Sequence, residues 1–384
     1  MQQETIKKTI LWTLTFLIVS VFVSFSHFES KSNDSKYYSA LVTRYYSQPW
    51  KEILTAKWGQ NYWGFGPDTY MRDQLPGQLV MGSALAKSGV PSQHALHLLE
   101  MGFLLGAFFL CWKIASHLNK VENEFLIPAL IFLPLTISYT VRANHEAGLF
   151  FFSALSLLAG IKMSKSIWWP LLCVLSCLAL MWIKGPFVVF GFLLFSWGFF
   201  LSEERKYFWW FFTMFISALL VTASGWFYET LFRSWTGGPF FSVFWNIQIE
   251  QRALNKATHP FFIQKVFNFH YYFVNYLAYA LPWTAVAIAA LFKVDKMPLK
   301  LFMRSRLSLC FLGASMIYIG VFSMSERTAG RYTFAGYYFF AAWMILLCFT
   351  QLDGLKRLAL KVRGMKAHYL GALLWTIAVL VHLI

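Results

Sequence analysis

The sequence predicts an all-α, polytopic integral membrane protein, and three observations support this fold class. Apolar residues make up 58% of the 384 residues and charged residues only 13%, which is about half the charged share of a typical soluble domain. Apolar runs long enough to cross a bilayer recur along the chain. The 41 Phe and 17 Trp residues are typical of lipid-facing surfaces with aromatic belts at the interfaces. This composition excludes an ordinary cytosolic enzyme, a disordered chain and a collagen-like fibre.

Eleven apolar segments are predicted to span the membrane. In chain order they lie near 9–27, 95–112, 125–141, 147–161, 167–182, 186–201, 208–228, 269–292, 308–323, 333–350 and 368–384. The stretch 76–90 is only moderately apolar and contains Gly77, Gly82 and Lys87, so we expect it to lie on the membrane surface as an interfacial helix. We expect one membrane domain over residues 1–384, in which the apolar N-terminal run is kept as the first span.

The basic residues predict how the spans are oriented. If 76–90 does not cross, 18 of the 33 Lys and Arg residues fall in six short connections on one side of the membrane, and the positive-inside rule makes this the cytoplasmic side. The long loops 28–94 and 229–268 then lie outside, where we expect the chemistry, because function concentrates in such loops. The net charge of +16 is attributed to the inner loops and to anionic lipid headgroups, and no nucleic-acid partner is expected.

The first outer loop contains two polar clusters. Asp34 stands a few residues after the first span, where a partly desolvated carboxylate is a candidate general base. The alternative is that Asp34 caps the helix that follows it. Further along the loop, Tyr70, Arg72 and Asp73 precede Pro76 and form the second cluster.

A second carboxylate, Glu146, stands at the start of the fourth span, after Arg142 and His145. An ionisable residue this close to the hydrocarbon region is a functional candidate by default. The alternative is a carboxylate that the helix dipole stabilises and that pairs with Arg142. His145 is either a metal ligand or a hydrogen-bonded structural residue.

Cationic residues near the outer surface are candidates for binding a phosphate. Lys184 lies in the turn before Pro186 and either binds a phosphate as a point charge or snorkels to the interface. Arg252, Arg327 and Arg331 are predicted in outer loops. Each guanidinium could grip phosphate oxygens bidentately or contact a lipid headgroup.

Taken together, these motifs resemble the GT-C glycosyltransferases of the protein O-mannosyltransferase and aminoarabinose-transferase type. The matching segments are Asp34 to Tyr38, Tyr70 to Gly77, Arg142 to Glu146, Lys184 to Pro186, Arg252 to Trp283 with His259 inside it, and Phe322 to Tyr332. The number, order and spacing of the motifs carry the resemblance, which runs from the first span to about residue 350.

Four positions depart from the pattern of that family. Ser35 stands where the family has a second acid, and Glu146 stands where Asp is commoner. Asp73 and Gln74 stand where the family has His-Pro or Lys-Pro, so a basic group that could hold the carrier phosphate is replaced.

The resemblance implies a GT-C helical bundle with about eleven spans and with interfacial helices in the first outer loop. It implies an inverting transfer of a sugar from a polyprenyl-monophosphate carrier to a lipid, glycan or protein acceptor. The reaction would take place on the outer face of the membrane, and we expect this membrane to be a bacterial inner membrane. Asp34 would be the general base, and Glu146 would position the acceptor or share a divalent metal ion, the one cofactor that this chemistry leaves open.

The other site residues follow from the same resemblance. The donor phosphate would be bound by Arg252, Arg327, Arg331 and Lys184. The residues expected to contact the substrates are Tyr38, Tyr70, Arg72, Asp73, Arg142, His145 and His259.

Two other functions are compatible with a polar cluster on the outer face. A transporter or flippase of lipid-linked sugars would need charged or broken helices near the bilayer midplane, and the sequence has few intramembrane charges besides Glu100. A ligase or polymerase that moves whole glycans from a diphosphate carrier would also use outer arginines. Because the candidate residues collect on one face, the glycosyltransferase is favoured.

Overall fold

The computed structural model describes residues 33–59, 65–66, 68–119, 126–136, 144–247, 250, 260–293, 296–325, 328 and 333–350. Within these residues the chain is helical, and β structure is limited to isolated bridges, one of which pairs Lys57 with Tyr70 in antiparallel orientation. The all-α prediction is therefore confirmed for the described part of the chain.

The described part of the first predicted outer loop contains three short helices. They are α1 (Asn33–Tyr45), α2 (Trp50–Leu54) and α3 (Gly77–Lys87). The 11 residues of α3 extend about 16 Å, roughly half the 30 Å thickness of the hydrocarbon core. This helix is too short to cross a bilayer, in agreement with the predicted interfacial helix at 76–90.

Twelve further helices follow in the described part of the chain, and the long ones among them form the bundle. They are α4 (Ser92–Asn119), α5 (Leu126–Ile131), α6 (Glu146–Lys162), α7 (Trp168–Lys184), α8 (Val188–Leu201), α9 (Tyr207–Thr236), α10 (Phe241–Trp245), α11 (Phe261–Tyr279), α12 (Trp283–Lys293), α13 (Lys296–Met303), α14 (Arg306–Ser323) and α15 (Phe334–Thr350). Their shared core is aromatic: the ring of Phe150 stacks on Tyr338 with centroids 5.0 Å apart, and Phe190 stacks on Tyr318 at 3.9 Å.

Several described helices have the properties of membrane spans. Five stretches are long and apolar enough to cross a bilayer, namely Ser92–Asn119, Glu146–Lys165, Trp168–Leu201, Tyr207–Thr236 and Arg306–Ser323. The chain is therefore an integral membrane protein. The first and last predicted spans, 9–27 and 368–384, lie outside the described residues.

The stretch Trp168–Leu201 folds back on itself and contains two antiparallel helices, as the predicted spans 167–182 and 186–201 require. The reversal occurs at Gly185, whose φ of 45° lies in the left-handed region that glycine adopts without steric cost. Beyond the turn, Gly191 of α8 packs against Cys177 and Leu180 of α7.

The predicted span 269–292 is not one continuous helix. The structure has two helices there, α11 and α12, which are separated by residues 280–282. The interruption falls at Pro282, which has no backbone N–H and whose ring clashes with the preceding turn of a helix.

The ends of the helices fall into two groups. His117, Lys165, Glu203 and Arg306 line one small cleft, and each comes from a connection that the charge pattern placed on the inner side. Residues 144–146 and 184–187 meet at the opposite end of the bundle, where His145 contacts Lys184. The predicted grouping of these connections is therefore present in the fold.

Glycine allows α6 and α8 to touch along their backbones. A Cβ at Gly160 would overlap the carbonyl oxygen of Phe195, and a Cβ at Gly198 would overlap that of Leu157. Small residues of this kind bring membrane helices close enough for main-chain contact.

Replacing Gly160 with Ala is expected to destabilise the bundle by about 1–3 kcal/mol, because the added methyl group meets backbone that cannot move aside. Thermal unfolding in detergent measures the effect as a fall in Tm. Gly320→Ala is the matched control, since a Cβ at this position in α14 meets nothing within 4 Å. Equal Tm values for the two variants would contradict the prediction.

Candidate active site

The starts of α1 and α6 lie against each other, although they are more than 100 residues apart in sequence. The Ser35 hydroxyl donates a hydrogen bond of 2.9 Å to the side-chain oxygen of Asn144, and the pair is buried. One helical turn after Asp34, the ring of Tyr38 packs edge-on to His145 with centroids 6.1 Å apart. These contacts bring the first predicted motif to the motif that ends at Glu146.

Asp34 and Glu146 are both buried carboxylic acids at helix starts. Asp34 is 7% exposed and Glu146 is 3% exposed. Asp34 lies in the first turn of α1, and Glu146 is the first residue of α6. Both side chains therefore stand at the positive end of a helix dipole.

Lys184 supplies a positive charge next to this pair of helix starts. It is the last residue of α7, and its ammonium nitrogen contacts Nε2 of His145. A charged ammonium can only donate, so the lysine donates to the lone pair of the imidazole. While this bond is present, Nε2 cannot also ligate a metal ion.

The start of α3 packs against the end of α7. A Cβ at Gly77 would overlap the backbone carbonyl of Trp182, so only glycine allows this close approach two residues before Lys184. Asp73, four residues before Gly77, is 4% exposed. The second half of the first predicted outer loop therefore joins the same end of the bundle.

Tyr70 and Arg72 belong to a neighbouring group that faces the end of α9. The guanidinium carbon of Arg72 lies 5.7 Å from the centre of the Tyr70 ring and 5.2 Å from that of Phe232. Met71, between them in sequence, packs instead in the core cluster that contains Tyr38. Alternating residues thus face two different groups: Tyr70 and Arg72 lie against Phe232, whereas Met71 packs with Tyr38.

Several predicted site residues lie outside the described residues, namely Arg142, Arg252, His259, Arg327 and Arg331. The last four of these are flanked in sequence by described residues, and these flanking residues hydrogen bond to one another. Lys265 near the start of α11 donates to the carbonyl of Met324 over 2.6 Å, and Asn268 donates to that of Ser325 over 2.5 Å. The nearby Phe322 ring lies 5.6 Å from Phe187, three residues after Lys184.

A predicted divalent metal site is not seen among the described residues, which contain no group of three or more His, Cys, Asp or Glu side chains placed to hold an ion. The metal ion remains a prediction. Its candidate ligands are His145 and Glu146, which both lie in the described part of the chain.

The sequence matches no family model and no curated protein. The fold, however, matches two crystal structures of ArnT from Cupriavidus metallidurans. The structure bound to undecaprenyl phosphate superposes with a TM-score of 0.61 and 13% identity, over 88% of this chain and 60% of ArnT. The apo structure gives a TM-score of 0.59 at the same identity, over 88% and 59%.

The chain has the GT-C fold. At 13% identity the likeness concerns the fold alone, and the chain spans about 60% of the length of ArnT. The GT-C fold predicted from the order of the sequence motifs is thereby confirmed.

Ser35 stands where the sequence resemblance predicts a second acid, and the structure shows a different role for this position. In the structure Ser35 is fully buried and its hydroxyl donates to Asn144. The position thus holds α1 to α6 through a neutral hydrogen bond. A carboxylate there could not donate to the Asn144 oxygen unless it were protonated.

Sequence reasoning did not assign four residues that build this end of the bundle, namely Ser35, Asn144, Gln78 and Glu100. One signal was visible for Glu100, because an ionisable residue inside an apolar span marks a functional candidate. The other three are neutral and small or flexible, and their role depends on partners far away in sequence.

Proposed function

We propose that this protein is a membrane glycosyltransferase that moves a sugar from a polyprenyl-phosphate carrier to an acceptor hydroxyl or amine. The observation that carries the proposal is the meeting of the segments of Asp34, Glu146 and Lys184 at one end of a GT-C bundle. A polyprenyl carrier is supported by the structural neighbour ArnT, whose crystal structure contains undecaprenyl phosphate.

In the proposed reaction the acceptor oxygen or nitrogen attacks the anomeric carbon while the bond to the carrier phosphate breaks. Asp34 takes the acceptor proton, and the configuration of the anomeric carbon is inverted. General-base catalysis of this kind contributes typically about 10²–10⁴-fold. The burial of Asp34 suits this role, because water is kept from competing with the acceptor.

The leaving polyprenyl phosphate gains negative charge as the bond breaks. Lys184 supplies a fixed cation for this charge, together with Arg252, Arg327 and Arg331. Charges aimed at the leaving group lower the barrier most in a site shielded from water. Glu146 orients the acceptor or shares a metal ion, and the reaction takes place on the outer face of a bacterial inner membrane.

The position of Glu100, the main charge inside an apolar helix, argues against the rival function, a transporter. It lies eight residues after the start of α4, about 12 Å along a helix of roughly 42 Å. Its partners are the first-turn amides of α6. A coupling site of a secondary transporter is expected near the bilayer midplane.

The experiment that separates the two functions supplies sugar-labelled polyprenyl monophosphate to the purified protein in nanodiscs, with a membrane extract as the source of acceptors. The glycosyltransferase releases free polyprenyl phosphate only when acceptor is present, and mass spectrometry of the labelled product identifies the acceptor class. A donor that stays intact but changes leaflet in proteoliposomes would identify a flippase instead.

A further inference from the structure

Glu100 is a buried carboxylate whose two oxygens bind two different helices. It lies on α4 and is 4% exposed. One oxygen, Oε2, accepts hydrogen bonds from the backbone N–H groups of Ala147 at 3.1 Å and Gly148 at 3.2 Å. The other, Oε1, accepts from the side-chain amide of Gln78 at 3.3 Å.

The first contact caps α6 from outside the helix. The first four N–H groups of a helix lack partners within it, and His145 at the N-cap position makes no side-chain capping bond to α6. Glu100 satisfies two of these groups. A carboxylate placed here also interacts favourably with the positive end of the helix dipole.

The second contact extends this link to α3. Gln78 is the second residue of α3, and it follows the segment that carries Asp73. The Glu100 carboxylate therefore joins α3 to α6. The segment before α3 carries Asp73, and the start of α6 carries the His145–Glu146 pair.

We infer that Glu100 is a positioning residue, which holds the start of α6 and the start of α3 in register so that Glu146 and the His145–Lys184 contact keep their places. Glu100 acts through its hydrogen bonds and does not touch the substrate. The kinetic consequence of this inference rests on the proposed sugar transfer, whereas the structural consequence does not.

Substitutions can separate the hydrogen bonds of Glu100 from its charge. In Glu100→Gln the side-chain oxygen still accepts from Ala147 and Gly148. The new NH₂ group can donate to Oε1 of Gln78, which is buried and has no hydrogen-bond partner among the described residues. Glu100→Asp keeps the charge but shortens the reach, and Glu100→Leu removes every bond.

Two measurements test the inference on purified, monodisperse protein in nanodiscs. Amide hydrogen exchange of the segment 144–150 reports the start of α6 and needs no enzymatic activity. Steady-state kinetics with the labelled polyprenyl-monophosphate sugar report kcat and the KM for the donor.

We expect faster exchange in 144–150 for Glu100→Leu and Glu100→Asp, and near wild-type exchange for Glu100→Gln. The first two variants should lose kcat by roughly 10–100-fold, as expected for a small misplacement of reacting groups, with the donor KM little changed. Glu100→Gln should keep most of the wild-type kcat.

Ser305→Ala is the matched control. Ser305 caps α14 at the opposite end of the bundle, where its side chain accepts from the N–H of Ser308 at 3.1 Å. Loss of this cap should lower Tm and leave kcat unchanged, which separates positioning from general stability.

Two results would overturn the inference. One is unchanged exchange in 144–150 for Glu100→Leu or, if that variant does not fold, for Glu100→Asp. The other is an active Glu100→Asp with an inactive Glu100→Gln, which would show that the charge matters and the bonds do not. If wild-type protein transfers no sugar, the proposed function fails while the exchange measurement still decides the structural claim.

Discussion

Replacing Asp34 with Asn is expected to reduce sugar transfer by about 10²–10⁴-fold, the contribution typical of a general base. The amide has almost the shape of the carboxylate but cannot take a proton from the acceptor. The loss should appear in kcat, measured as acceptor-dependent release of polyprenyl phosphate, with little change in the KM for the donor.

This substitution also tests the alternative in which Asp34 only stabilises the start of α1. Asn is as good as Asp at a helix N-terminus, so a purely structural Asp34 would leave both Tm and kcat unchanged. Asp68→Asn is the matched control, because Asp68 lies in the same predicted outer loop but is exposed. Comparable kcat values for the Asp34 and Asp68 variants would remove Asp34 from the proposed mechanism.

Replacing Lys184 with Gln is expected to lower kcat by about 10²–10³-fold, the range found when one group that stabilises a developing oxyanion is removed. Lys184 meets His145 at the end of the bundle where α1 and α6 also meet. Gln can still hydrogen bond to His145, but it leaves the departing phosphate without this positive charge.

A lysine that only snorkels to the interface would behave differently. Lys162 provides the control, since it also ends a span, at the opposite end of the bundle, and lies 5.1 Å from the centre of the Trp169 ring. Lys162→Gln should retain wild-type kcat. If both lysine variants keep kcat and show only a lower Tm, the cation at 184 serves the membrane interface and not the leaving group.

The membrane class and the helix boundaries were largely predictable because they depend on local properties of the chain. The apolar runs 147–161, 208–228 and 308–323 each lie within a described helix. The exception, 269–292, was apolar enough to be a span, yet Pro282 interrupts it. Hydropathy reports how readily a segment enters lipid, whereas the break depends on a backbone donor that proline lacks.

The candidate site was predictable only as a set of separate motifs. Asp34, Glu146 and Lys184 could each be picked out, because an ionisable group beside an apolar run is unusual. Nothing in their spacing required them to share one end of the bundle. The charge pattern of the loops predicted that they group on one side. The structure supports this grouping, because Ser35 bonds to Asn144 and Lys184 contacts His145.

The sequence by itself determined that this protein enters a membrane, which connections share a side, and which side chains are chemically unusual. These properties follow from composition and from the pattern of charges along the chain. Only the tertiary structure decided that Ser35 binds Asn144 and that Glu100 caps α6. Contacts of this kind join residues 47 to 109 positions apart, and they depend on how whole helices pack and on which buried polar groups need partners.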